Sequence, residues 1–144
     1  VMNKAVIAQE GSPKDLYNFP KNKFVANFIG DANVVKAEIV NKQSNIYELK
    51  LSEMNIKIES DKDLKNPVSV ALRPETIKIE TTNDNNCIHA SVNNASFVGS
   101  TYQYILNSKI GKLYVISGNT SNPFKVGEEV FLSLDEKNVK VLND

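Results

Sequence analysis

The residues able to do chemistry in this chain are few and scattered. Cys87 and His89 stand two positions apart, with Asp84 the one further candidate ligand close by in sequence. A zinc site takes four ligands, or three and a water, and the chain holds one cysteine and one histidine in all. That excludes an intrachain disulfide and any cysteine-rich metal site. On a strand, Cys87 and His89 would share one face at period two. No nucleophile–base set can be named, so no catalytic, cofactor-binding or metal residue is expected. Gly11-Ser12-Pro13 is not a phosphate loop, because it lacks the second glycine and the Lys-Ser/Thr pair. The remaining signal is Leu72-Arg73-Pro74-Glu75. Pro74 supplies no ladder N–H and biases Arg73 toward extended geometry, so a strand should end there at a sharp corner. Arg73 is suited to bridging strand-end carbonyls or a partner chain's carboxylate, and Glu75 to accepting N–H groups left over at the interrupted ladder.

The elements that must position these residues fall into two kinds. In the first thirty, 5–8 reads as a short strand, and Ser12 with Pro13 opens a helix as N-cap and first-turn proline. Phe19-Pro20 stops it. Asn22 caps a second short helix over 23–29, with Phe24, Val25, Phe28 and Ile29 as one apolar stripe and Gly30 at its end. These faces are poor material for a core of their own and must cover something. From Asn33 the period changes to two. Strands are expected over 35–40, 46–51, 56–58, 68–72, 77–80, 88–98, 102–106, 112–116, 130–134 and 139–142. Hairpin-sized turns fall at 41–45, 52–55 and 108–111, a polar loop at 81–86, another at 118–123, and a last hairpin closes through 135–138. Gly99 marks a bulge or barrel corner. Connections this short imply antiparallel pairing, in a sandwich or small barrel. The blocks 33–80 and 87–142 echo one another weakly, without a fixed-period repeat.

Composition sets the outer bounds. The length of 144 residues suits one modest domain or a domain plus part of another, and 41% hydrophobic residues can build a core. Seventeen basic residues balance seventeen acidic ones, which removes the electrostatic argument for nucleic acid or an anionic membrane. Tyr102, Tyr104 and Tyr114 supply aromatics but no basic face accompanies them. No run of 18 apolar residues occurs, and 1–10 does not read as a signal peptide.

Taken together, Ile7-Ala8-Gln9-Glu10-Gly11-Ser12-Pro13, Leu16-Tyr17, Pro20, Phe24-Val25-Ala26, Phe28-Ile29-Gly30 and Asn33 resemble the end of the nucleotide-binding domain of an ABC importer ATPase. The subfamily is that of the maltose, polyamine, sulfate and ferric-iron importers. In it a C-terminal TOBE domain follows, an OB-like barrel whose marks are similar to Leu72-Arg73-Pro74-Glu75, Phe97-Val98-Gly99-Ser100 and Gly127-Glu128-Glu129-Val130. The resemblance implies a mainly β, OB-like antiparallel barrel at 31–144, preceded by an ATPase-domain tail at 1–30. The Walker A loop, signature motif and catalytic Glu–His pair of such ATPases are missing, so ATP and Mg would belong to an ATPase domain outside this sequence.

The resemblance implies a regulatory and dimerisation domain, with Arg73, Glu75, Phe24, Phe28 and Ile29 as its structural and interface motif. The partners it implies are a second copy in a homodimer and, through the ATPase domain, the importer's transmembrane subunits, with no nucleic acid. The place it implies is cytoplasmic and peripheral on the inner face of a bacterial cell membrane. Asp31-Ala32-Asn33 looks nearer to ferric-iron, phosphonate or polyamine members than to sugar members. The alternative is a small-ligand module: related OB-like domains bind oxyanions such as molybdate at barrel rims, which implies Ser96, Gly99, Ser100 and Thr101 as ligand-binding residues. Their bland alternative is a barrel corner carrying ordinary hydroxyls.

Overall fold

The computed structural model describes residues 1–84 and 86–143; Asn85, within the expected 81–86 loop, and Asp144 lie outside the described residues. The chain opens with a two-strand hairpin, β1 (Met2–Asn3) and β2 (Val6–Ile7). Lys4 and Ala5 turn it with φ of 50° and 64°, the positive values that a tight two-residue hairpin needs. Helix α1 (Pro13–Asn18) starts as the sequence predicts, with the Asp15 N–H donating to Ser12 Oγ and Pro13 in the first turn. In α2 (Lys23–Ile29) the Val25 N–H donates to Asn22 Oδ1 at 3.0 Å. The stripe expected on α2 is turned: Val25 and Ala26 are buried, Phe24 and Ile29 are half-buried, and Phe28 is 63% exposed with its ring 5.8 Å from that of Phe24. Gly30 ends the helix in extended rather than left-handed geometry.

Ten further strands form two five-stranded antiparallel sheets. The first half supplies β3 (Asn33–Gln43), β4 (Ile46–Leu51), β5 (Met54–Glu59), β6 (Val68–Leu72) and β7 (Lys78–Glu80). The second supplies β8 (Ile88–Phe97), β9 (Tyr102–Ser108), β10 (Gly111–Ser117), β11 (Glu129–Ser133) and β12 (Val139–Val141). The first sheet has the order β12-β6-β3-β4-β5 and the second β10-β9-β8-β11-β7. Each half therefore gives its last strand to the other half's sheet.

The echo seen in the sequence is a repeat of topology. β3 pairs with β6 over 33–37 and with β4 from Glu38 on, with an irregularity in that ladder at Ile39/Asn41, and β8 pairs with β11 over 88–91 and with β9 from Ala90 on, with one at Val92/Asn94. A 3-10 turn, Pro74–Thr76, leads from β6 into β7, and another, Glu136–Asn138, leads from β11 into β12. One expectation fails here: the 135–138 segment closes no hairpin, because sequence neighbours need not be sheet neighbours. The strand does end at the Arg73 corner as expected, and the corner leads into a strand of the other sheet.

Both sheets curl around a shared core in which Tyr47, Leu49, Ile56, Leu72, Ile88 and Tyr104 are fully buried or nearly so. Alternate burial along β5 (Met54, Ile56 and Ile58 in; Asn55, Lys57 and Glu59 out) is what a strand with one core face produces. A smaller cluster of Ala26, Ala71 and Leu142 seats α2 on the barrel. Helices of six and seven residues would not persist alone, so this seating holds the leading segment in place.

Candidate functional site: the Arg73 junction and the barrel rim

Arg73 is 5% exposed and reaches away from the strand ends, back to the leading segment. Its Nη1 donates to the Ala26 and Gly30 carbonyls, each at 2.8 Å, and its Nη2 to the Tyr17 carbonyl at 3.1 Å. The guanidinium also lies over the Tyr17 ring, 4.2 Å from its centroid. The carbonyls of Ala26 and Gly30 belong to the C-terminal end of α2, where backbone acceptors lack intrahelical partners and carry partial negative charge. Burial lowers the guanidinium's pKa from the ordinary arginine value, and an arginine stays charged at neutral pH. The corner is extended at Arg73 because Pro74 follows, and that geometry aims the side chain out of the sheet toward the helices. Glu75 is exposed and makes no hydrogen bond or ion pair among the described residues; the Thr76 N–H and hydroxyl donate to the Arg73 carbonyl instead.

Two buried amides that the residue-by-residue reading did not single out complete the junction. The Asn33 amide donates to the Tyr114 carbonyl at 2.8 Å, and the Tyr114 N–H donates to Asn33 Oδ1 at 2.7 Å. One side chain thus copies a strand's pairing on the outer edge of β10. Gln9 does the equivalent for the leading segment, donating to the Phe19 carbonyl and accepting from the Lys21 N–H, both at 2.9 Å. The Asn86 side chain repeats Asn33's role in the other half: it accepts from the Asn55 N–H and donates to the Asn55 carbonyl on the outer edge of β5. Asn33 and Asn86 each stand at or just before the long strand of their half. A sequence signal exists, an Asn at the entry to each block, but its meaning depends on a contact 81 residues away in one case and 31 in the other.

Gly99, Ser100 and Thr101 lie in the loop at the tip of the β8–β9 hairpin, and Ser96 sits within β8 opposite Gln103. The Val98 N–H donates to the Thr101 carbonyl at 2.9 Å, and Gly99 takes φ of +80° with open space where a side chain would begin. The glycine is a hairpin-loop residue, and the strand irregularity falls at Val92/Asn94 instead. The tip is largely exposed, and none of the described cavities is lined by these four residues. Beside it Phe97 is 59% exposed, its ring 5.2 Å from that of Tyr102, which stacks in turn on buried Tyr104.

Cys87 and His89 do not share an environment. Cys87 is buried just ahead of β8, whereas His89 is exposed, paired with Glu129 and stacked on Phe131. Among the described residues no group of three or more His, Cys, Asp or Glu is placed to hold a metal ion, and no helix is long and apolar enough to cross a membrane.

Comparison with known proteins adds three findings. The family model described as the TOBE domain matches residues 70–142. The chain is 23% identical over 143 residues to the Fe(3+) ions import ATP-binding protein of Brucella abortus, covering 99% of this chain and 40% of that protein. It is 32% identical over 142 residues to the spermidine/putrescine import ATP-binding protein of Acetivibrio thermocellus, covering 99% and 38%. The chain thus spans well under half the length of these relatives. Among solved structures, the cytoplasmic molybdate-binding protein ModG superposes with a TM-score of 0.59 at 11% identity, over 74% of this chain and 92% of that one. The likeness is one of fold and carries the OB-like architecture.

Proposed function

Because this chain belongs to the TOBE domain family, we propose that it is the regulatory and dimerisation domain of the ATP-binding subunit of an ABC-type importer. Its solute would be ferric iron or a similar small solute such as a polyamine or phosphonate. In this reading residues 1–30 are the tail of the ATPase domain and 31–144 the regulatory barrel. The ATP and Mg sites, and the contacts with the transmembrane subunits, belong to the ATPase domain outside this sequence. The assembled subunit would sit on the cytoplasmic face of a bacterial membrane.

The observation that supports it is the Arg73 junction. One buried guanidinium ties the leading segment to the barrel through three carbonyls, so movement of an ATPase domain would be passed rigidly to the barrel. The same segment turns Met2, Val6 and Ile7 outward at 57–68% exposure. Apolar side chains at that density suit a covering domain. Light scattering at tens of micromolar tests the dimer: two chains per particle is expected, and a monomer overturns the dimerisation role.

A second reading is an oxyanion site at Ser96, Gly99, Ser100 and Thr101. It is favoured by the positive φ and open space at Gly99, and ModG, which shares the fold, is a molybdate-binding protein. Calorimetric titration with molybdate decides it: heat lost in the Ser100→Ala variant supports the site, and absence of heat removes it.

A further inference from the structure

The two halves are topological copies that close alike at one end and differ at the other. In the second sheet β10 packs on the Pro74–Thr76 turn and on β7, and in the first β5 packs on the matching Glu136–Asn138 turn. Beyond that turn, β5 and β12 border an open groove of about 440 Å³, walled by 57–60, by 139–141 and by Phe19, Pro20 and Lys21.

Register shows what the two strands present to it. In an antiparallel pair only alternate residues bond a given neighbour. The Leu142 N–H donates to the Ser69 carbonyl at 2.9 Å, and the β12–β6 register then turns Lys140 toward β6 and the backbone of Val139 and Val141 toward the groove. On β5 the outward residues are Asn55, Lys57 and Glu59, because the Asn55 and Lys57 N–H groups donate to Asn86 Oδ1 and Glu136 Oε1. The Val139 N–H is satisfied by the Glu136 carbonyl. Among the described residues, what remains without a partner facing the groove is the Lys57 carbonyl and both backbone groups of Glu59 on one side, and the Val139 carbonyl and both backbone groups of Val141 on the other. Every pair in this sheet is antiparallel, so the first and fifth strands run the same way. One added strand would be antiparallel to both.

Charge says what kind of strand. Lys21, Lys57, Lys62, Lys137 and Lys140 all line the groove. Against them stand Glu59, which accepts from Asn45, Glu136, already on the Lys57 N–H, and Asp135, which pairs with Lys137 Nζ at 3.5 Å. In a chain of zero net charge this is a concentrated positive rim. The ammonium groups of Lys21 and Lys57 make no hydrogen bond or ion pair among the described residues. Val139 and Ile58 turn their side chains to the core beneath, and Phe19, 66% exposed with Lys140 Nζ 5.1 Å from its ring centroid, stands at one wall.

We propose that the β5–β12 groove takes an extended acidic peptide segment of a partner protein as a sixth strand. Main-chain bonds to Glu59 and Val141 would hold it, with apolar side chains inward and carboxylates on the lysine rim. This is strand addition at a sheet edge, with the lysines supplying the choice of partner. The probe is a fluorescein-labelled nine-residue peptide alternating glutamate and valine, titrated into the chain by anisotropy. Saturable binding is expected, weakened at least tenfold by N-methylation of alternate peptide amides and at least tenfold in the Lys21→Gln/Lys57→Gln double variant. Both lysines are exposed, so that variant should fold as the wild type does. Amide exchange at Glu59 and Val141 should slow at least tenfold with peptide bound. No binding at hundreds of micromolar overturns the proposal. So does binding that N-methylation leaves unchanged, or that a lysine–valine peptide matches, or that sulfate abolishes with no change in exchange at Glu59 and Val141.

Discussion

Arg73 is a buried cation that pairs with no carboxylate among the described residues, and the three carbonyls and the Tyr17 ring take the place of a counter-ion. Hydrogen bonds to charged groups contribute more than neutral ones, and the acceptors left behind would be buried. Arg73→Ala should therefore cost about 2–4 kcal/mol in urea denaturation. Arg73→Lys should recover less than half of that, since an ammonium cannot reproduce the planar fork. A variant as stable as wild type would leave the residue as a signature without a role. Asn33 raises the same question on the sheet edge. Asn33→Ala should lose about 1–3 kcal/mol, because Tyr114 keeps its backbone groups but loses both partners. Asn33→Asp restores the acceptor alone and should fall between the two, as thermal unfolding would show.

At the scale of elements, the leading segment and the barrel depend on one another unequally. The barrel has its own core, while the leading segment is held by one small cluster, the Arg73 bonds, the Asn143 N–H on the Lys21 carbonyl and Lys140 over the Phe19 ring. Loosening the segment should therefore be local. Asn22→Ala removes the cap of α2 and should cost about 1 kcal/mol. It should appear as faster proteolysis and amide exchange within 1–30, with exchange in β4 and β9 unchanged. Equal acceleration throughout would mean that segment and barrel unfold as one unit. The sheet edges change an expectation raised by the strand pattern alone. An open barrel would be driven to pair with a second copy through its edges, but Asn33 and Asn86 already bond the outer edges of β10 and β5. Any dimer contact is then better sought on side-chain surfaces than on those rungs.

For the whole molecule, most of the exposed large apolar side chains among the described residues gather in the leading segment, with Met2, Val6, Ile7, Phe19 and Phe28, and at the hairpin tip, with Phe97 and Val98, while Val40, Ile46 and Val126 stand apart. If the segment is the tail of a larger domain, its exposed face should cause association when that domain is absent. Replacing Val6 and Ile7 by Ser should lower the apparent mass in sedimentation at tens of micromolar by reducing non-specific association. The melting temperature should stay within about 2 °C, because exposed sites contribute little to stability. If self-association is unchanged by Val6 and Ile7 but lost on Phe97→Ser, the hairpin tip is the contact surface.

Local chemistry made much of this legible in the residues. Alternation placed every strand from β3 to β12, Ser12 and Asn22 announced their caps, and the run from Ile7 to Asn33 with Leu72-Arg73-Pro74-Glu75 carried the family, because each depends on neighbours within a few positions. The exchange of β7 and β12 between sheets was not legible, since a 3-10 turn and a hairpin turn look alike over four residues. Nor were the partners of Arg73, the edge-capping by Asn33 and Asn86, or the convergence of Lys21, Lys57 and Lys140 on one groove. These join residues 31–119 positions apart, and only the closing of the chain on itself brings them within reach of a hydrogen bond or a shared field.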